Sequence, residues 1–99
     1  MSLFHIFKEL YATAIAGRPA FRRLKSGATI KVRAKGRRRQ VILGRAGAPV
    51  GEGEEQTFRR DGEIPDAAAR QEYQSGPWHY VALTWEEPPG LFDEEPTDA

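Results

Sequence analysis

A run of basic side chains around one predicted hairpin is the strongest chemical signal in this sequence. Residues 31–39 contain six Lys or Arg, and two further arginines precede them closely enough to join the same patch. Clustered cations bind nucleic-acid backbones because each neutralised phosphate releases counterions. We therefore predict a surface that binds DNA, RNA or another polyanion, formed by Lys31, Arg33, Lys35, Arg37, Arg38, Arg39, Arg22 and Arg23.

The charge is divided unevenly along the chain. Residues 1–45 hold twelve basic and one acidic side chain, a net +11, whereas residues 46–99 hold three basic and thirteen acidic ones, a net −10. The overall net charge of +1 hides this division. Such asymmetry indicates a polyanion-binding surface, an acidic interaction segment, or both.

Aromatic residues could add base stacking beside the basic patch. Trp78 and Tyr80 are candidates if their face of the strand is the exposed one. Packing in the core is the alternative for both tryptophans, because a small domain needs large side chains at its centre.

The residue types give little indication of catalysis. The sequence contains no cysteine, and its only histidines are His5 and His79. The sequence spacing links neither histidine to a nucleophile. We predict a non-enzymatic protein with no catalytic residue, metal or cofactor. The enzymatic alternative is a small metal-independent ribonuclease that assembles Arg38, Arg59, His79 and Tyr80 around a phosphate.

The basic hairpin must be held by two strands. Apolar and polar residues alternate from Ala28 to Lys35, the pattern of a half-buried strand, and residues 41–43 can form the return strand. A tight turn at Lys35-Gly36 would place Arg33 opposite Arg38 and Lys31 opposite Gln40. Like charges directly opposite each other destabilise a sheet, so the pairing suggests a functional face.

An amphipathic helix is predicted from Ser2, its N-cap, to about Ala16, with Gly17 ending it. Its apolar stripe can pack on the protein's own sheet or contact a partner or second copy. The alternative function is therefore an adaptor subunit of a larger assembly. It would use an apolar helix stripe and an apolar pair in the acidic tail: Leu3, Phe7, Leu10, Leu91 and Phe92.

The second half of the chain is less regular. We predict a Gly-rich connector over 44–55, a short strand over 56–60, a turn at Asp61-Gly62 and a short helix from Pro65 to Tyr73. Residues 78–85 have the strongest strand character and aromatics on both faces, which favours a central strand.

These elements predict an α+β fold with one globular domain, 1–85, and an acidic, proline-containing tail, 86–99. The fold combines an N-terminal amphipathic helix, a small antiparallel sheet and a short helix before the last strand. A partly open barrel of the SH3 or OB type is an alternative closure of the same strands. The N-terminus lacks the order of a secretory signal and is too short and charged to span a bilayer, so we predict a cytoplasmic protein without membrane contact.

Overall fold

The computed structural model describes residues 2–88. In chain order these residues form α1 (Leu3–Ile15), β1 (Ala20–Arg23), β2 (Thr29–Lys35), β3 (Arg38–Ala46), α2 (Glu52–Asp61), β4 (Ala69–Ser75) and β5 (Trp78–Glu86). The predicted α+β class is confirmed, with an N-terminal helix, an antiparallel sheet and a short helix before the last strand. Residues 89–99, which include most of the predicted acidic tail with Leu91 and Phe92, lie outside the described residues.

The five strands form one antiparallel sheet in the order β1-β2-β3-β5-β4. Within residues 2–88 the two edge strands, β1 and β4, do not pair with each other, so the sheet is open. The SH3- or OB-type barrel is therefore not formed. β5 lies between β3 and β4, which confirms the prediction of a central strand.

Helix α1 begins and ends where the sequence predicts. Ser2 is the N-cap and its Oγ accepts a hydrogen bond from the His5 amide, while Gly17 has a φ of +80° just beyond the C-cap. Phe7 and Leu10 lie in the protein's own core, 1% and 4% exposed. The apolar stripe therefore packs on the protein's own sheet, and these two residues are not available as the partner surface that the adaptor hypothesis requires. Leu3 is half-buried against the same core.

Helix α2 occupies residues for which we predicted a connector and a short strand over 56–60, so that prediction is wrong. Three glutamates fill its first turn and two arginines its last, which complements the helix dipole. Glu54 also accepts a hydrogen bond from the Gly51 amide at 3.3 Å. The sequence shows no apolar periodicity of a helix here because Phe58 is the only large apolar residue in α2. The acids at the start and the arginines at the end of this segment are the features that indicate a helix.

Residues 69–75 form strand β4, so the predicted helix from Pro65 to Tyr73 is wrong. Ala68 donates to the Pro65 carbonyl in a turn, and β4 then pairs along its whole length with β5. Gly76, at a φ of +58°, and Pro77 form the hairpin turn. The sequence of β4 favours a helix by propensity, and pairing with a neighbouring strand overrides that preference.

The β2–β3 hairpin turns at Gly36-Arg37, one residue later than predicted. Gly36 has a φ of +60°, which fits the first position of a tight hairpin turn. Lys35 is consequently opposite Arg38, and Arg33 is opposite Gln40. Every side chain keeps its predicted face because the register differs by two residues. The like-charge pair persists, but it is Lys35 with Arg38.

Candidate nucleic-acid interface

The two helices cover one face of the sheet. Core side chains from alternate strand positions, such as Ile30, Leu43 and Val81, cluster with Phe7 of α1 and Phe58 of α2. The intervening positions point to the opposite side, which we call the open face. Its side chains, placed by the strand register, include Phe21, Arg23, Lys31, Arg33, Lys35, Arg38, Gln40, Ile42, Tyr73, Trp78, Tyr80, Thr84 and Glu86.

Within the described range 2–88, five cations and one acid lie on the open face. Lys31, Arg33 and Lys35 follow one another at alternate positions of β2, about 7 Å apart. Arg38 is opposite Lys35, and its other cross-strand neighbour is Glu86, the single acid that residues 2–88 place on this face. The fifth cation, Arg23, projects from the edge strand β1. The open face is therefore strongly positive.

The ion pairs among residues 2–88 lie away from the open face. Glu55 is almost fully buried and pairs with Arg59 and with Arg70, at 3.3 and 2.9 Å. In residues 2–88 the five open-face cations take part in none of the ion pairs, which join Glu9–Arg22, Glu54–Arg45, Glu55–Arg59, Glu55–Arg70, Asp61–Arg60 and Glu72–Arg70. The helix-covered side thus neutralises many of its own charges, while the open face keeps its positive charge exposed.

Three of the eight predicted binding residues do not belong to the open face. Arg22 lies on the helix side and pairs with Glu9 at 2.8 Å. Arg39 also lies on the helix side, and its guanidinium donates to the carbonyls of Gly36 and Arg38 at 2.8 and 3.0 Å. Arg37 is in the hairpin turn. The remaining five residues share one surface: Arg23, Lys31, Arg33, Lys35 and Arg38.

Aromatic rings accompany these cations on the open face. Tyr73 and Tyr80 are directly opposite each other on β4 and β5, with ring centroids 5.0 Å apart and planes 28° apart. Trp78 continues the row, with its ring nearly parallel to that of Tyr80 at 6.2 Å. Phe21 is 56% exposed on β1, opposite Lys31. Trp78 and Tyr80 were predicted candidates, and both lie on the open side. Trp85 instead lies on the helix-covered side against the core.

Sequence reasoning missed Tyr73 and Phe21. The sequence predicts a helix that ends at Tyr73, and a helix there does not pair with the strand of Tyr80. The β4–β5 pairing alone brings the two rings together, and the turn signal Gly76-Pro77 was the only local indication of that hairpin.

Gly44 gives the ring of Tyr80 its place on the sheet. The two residues are opposite each other on β3 and β5. A Cβ on Gly44 would lie 2.8 Å from Cδ1 and Cε1 of Tyr80 and 3.0 Å from Oγ1 of Thr29. The ring therefore lies over the backbone of β3, in space that any other residue would fill.

Two depressions share Lys31 and Arg33; one lies on the open face, and the other lies at the edge of β2, between the open-face cations and the end of α1. One, of about 360 Å³, is lined by the aromatic rings. The other, of about 630 Å³, extends past the end of β1 to Lys35 and Arg38. An extended ligand could thus contact both the rings and the cations.

The pKa shifts concern groups outside the open face. Burial alone would raise the pKa of Glu55, but hydrogen bonds from Arg70 and Arg59 outweigh it and lower the pKa below its ordinary value. Burial raises the pKa of Tyr11, and the negative charge of Glu87 adds to the increase. The Tyr11 hydroxyl has no hydrogen-bond partner in the described part of the chain. These shifts reflect packing in the core and are not part of the positive surface.

The residues of the ribonuclease alternative are not brought together. Arg59 is bound to Glu55 on the helix side, and His79 points to that side of β5. Arg38 is six residues along β3 from the position opposite Tyr80, or about 20 Å away. Among residues 2–88 no group of three or more His, Asp or Glu side chains could hold a metal ion.

Comparison with known proteins adds no assignment: no family model, curated protein or solved structure matches this chain. Neither helix in the described range is both long and apolar enough to cross a membrane.

Proposed function

We propose that this protein is a non-enzymatic nucleic-acid-binding protein that holds the phosphate backbone on its open face. One observation carries the proposal: five cations share a single sheet face and take no part in the ion pairs of residues 2–88. Because these cations are outside the ion pairs of residues 2–88, binding to phosphate breaks none of those pairs. The binding energy comes from the release of counterions from the nucleic acid.

The adaptor alternative has no comparable support. Phe7 and Leu10, two of its three helix residues, are buried in the core. Ile15 is 62% exposed and Phe4 38% exposed, but they lie about 16 Å apart along α1 and so do not form one apolar patch. The observations on the described residues therefore favour a ligand of the open face.

The test compares two double variants with the same change in net charge. K31Q/R33Q removes two cations from the centre of the open face. K8Q/R60Q removes two exposed cations from α1 and α2, where Arg60 retains 75% side-chain exposure despite its contact with Asp61. Binding of a fluorescent oligonucleotide is measured by anisotropy over a series of salt concentrations.

We expect K31Q/R33Q to weaken binding about tenfold or more at low salt. Its plot of log affinity against log salt should be shallower by about 0.7 for each phosphate of a single strand that the variant leaves without a cation. K8Q/R60Q should keep the wild-type slope. Equal weakening by both variants would indicate a general charge effect, and a flat salt response of the wild type would refute the proposal.

A further inference from the structure

We infer that the nucleic acid bound by the open face is single-stranded and that its bases stack on the rings of Phe21, Tyr73, Tyr80 and Trp78. This inference rests on the proposed function and names its ligand class.

The sheet is too wide to enter a duplex groove. A two-stranded ribbon fits a DNA major groove about 12 Å wide. The β2–β3 hairpin is no such ribbon, because β5 pairs with β3 along its whole length, from Arg38 to Ala46. Five strands span about 19 Å from first to last. The open face can therefore lie against a strand but cannot insert into a duplex.

The rings are placed where unpaired bases could reach them. Tyr73 is 39% exposed and Phe21 56% exposed, although both are large apolar rings on a small domain. Tyr80 lies over Gly44, and its ring contacts those of Tyr73 and Trp78, so the three rings form one packed row. Bases in a single strand have free π-faces, and stacking on aromatic side chains tolerates any sequence. Bases within a duplex are already stacked on each other.

The positive charge beside the rings favours an anionic ligand. A depression that contains Phe21 and the Tyr–Trp row also contains Arg23, Lys31 and Arg33. The cations lie on β1 and β2 and the Tyr–Trp row lies on β4 and β5, so a strand lying on this surface could place its phosphates on one side and its bases on the other. A second copy of this protein would bring five cations against five cations, so association of two open faces is opposed by charge repulsion.

The experiment uses ligands that separate bases from phosphates. Binding of the wild-type 99-residue chain is measured for a deoxythymidine oligonucleotide of about 12 nucleotides, within the range of about 4–16 nucleotides that OB folds bind. The other ligands are the uridine oligonucleotide of the same length, a duplex, and a polyphosphate of equal chain length. The variant F21L/Y73L removes two rings and keeps apolar side chains on the strands. F4L is its control, because Phe4 on α1 is 38% exposed, close to Tyr73 in this respect. Thermal unfolding checks that each variant folds.

We expect the wild type to bind one or both single strands at least fivefold more tightly than polyphosphate or duplex. F21L/Y73L should weaken single-strand binding by about fivefold to hundredfold, the range for removal of one stacking ring, and should change polyphosphate binding little. F4L should match the wild type. The preference of the wild type needs no variant, so a misfolded variant would not prevent the test.

The failures are distinguishable. Equal binding of oligonucleotide and polyphosphate, both weakened by K31Q/R33Q, would overturn base stacking and leave the polyanion proposal standing. Tighter binding of the duplex would overturn the single-strand inference in the same way. An absence of binding to every ligand at low salt would overturn both proposals.

Discussion

Gly44 has no side chain, and this leaves room on the open face for the ring of Tyr80. Its φ is not in the left-handed region, so the backbone does not require glycine there. The space above it holds the ring of Tyr80, which in turn is stacked on Tyr73 and Trp78. Glycine within a strand weakens the strand, and an aromatic ring from the neighbouring strand can cover it. Gly44 therefore supports the arrangement of the aromatic row.

We predict that Gly44→Ala destabilises the protein by about 1–3 kcal/mol, since the new methyl group overlaps the Tyr80 ring. In a Tyr80→Ala background the same change should cost clearly less, because the ring is gone while the Thr29 contact is unchanged. Urea unfolding of the four proteins of this double-mutant cycle measures both costs. Equal costs in the two backgrounds would contradict the role assigned to Gly44.

At the residue scale, the sequence pattern indicated which cations share a face better than it indicated which rings lie beside them. The cations are close together in sequence, and alternation along β2 already assigned Lys31, Arg33 and Lys35 to one face. Tyr73 and Phe21 join them only through pairing of β4 with β5 and of β1 with β2. Arg22 and Arg39 were included because their neighbours in sequence are basic, but strand alternation turns both to the helix side.

At the element scale, the secondary-structure predictions are correct where the sequence has a clear apolar pattern. α1 has a broad apolar stripe and a Ser2 cap. Apolar and polar residues alternate along β2, and β5 is rich in aromatic and branched residues. The sequence therefore predicts all three elements correctly. α2 and β4 carry few apolar residues, and the sequence predicts a strand in place of the helix α2 and a helix in place of the strand β4. α2 is stabilised by its terminal charges, and β4 by pairing with β5.

Glu55 is the contact that joins these two misassigned elements. It projects from α2, is 5% exposed, and accepts hydrogen bonds from Arg70 on β4 as well as from Arg59 one turn along the helix. No other ion pair in residues 2–88 links α2 to β4. The position of the edge strand that carries Tyr73 therefore depends in part on this carboxylate.

We predict that Glu55→Gln costs about 1–3 kcal/mol at neutral pH, because both arginines lose a charged acceptor. The pKa of Glu55 is lowered in the folded protein, so the folded state releases this proton more readily than the unfolded chain. The carboxylate's contribution is present above the unfolded pKa of about 4.3 and is lost as pH falls through the lower folded value.

Chemical unfolding of the two proteins from neutral to acidic pH checks this sign. The stability difference between wild type and Glu55→Gln should shrink as the solution is acidified. The exposed Glu52→Gln, in the first turn of the same helix, is the control and should change stability by a few tenths of a kcal/mol. A difference that grows on acidification would contradict the assignment.

At the scale of the whole molecule, residues 2–88 divide their charge between the two sides of the sheet. The acids of α1, α2 and β4 pair with helix-side arginines, and the open face retains its five cations. The near-zero net charge is therefore a poor guide to the ligand. Composition revealed the imbalance, but only the sheet order assigned it to one surface.

Nuclear magnetic resonance of the arginine side chains tests the central claim most directly. A deoxythymidine oligonucleotide is titrated into ¹⁵N-labelled protein at low salt, and the Nε–H signals are followed. We predict that Arg23, Arg33 and Arg38 on the open face shift progressively, while Arg59, Arg60 and Arg70 on the helix side stay near their starting positions. Shifts confined to the helix-side arginines would contradict the account.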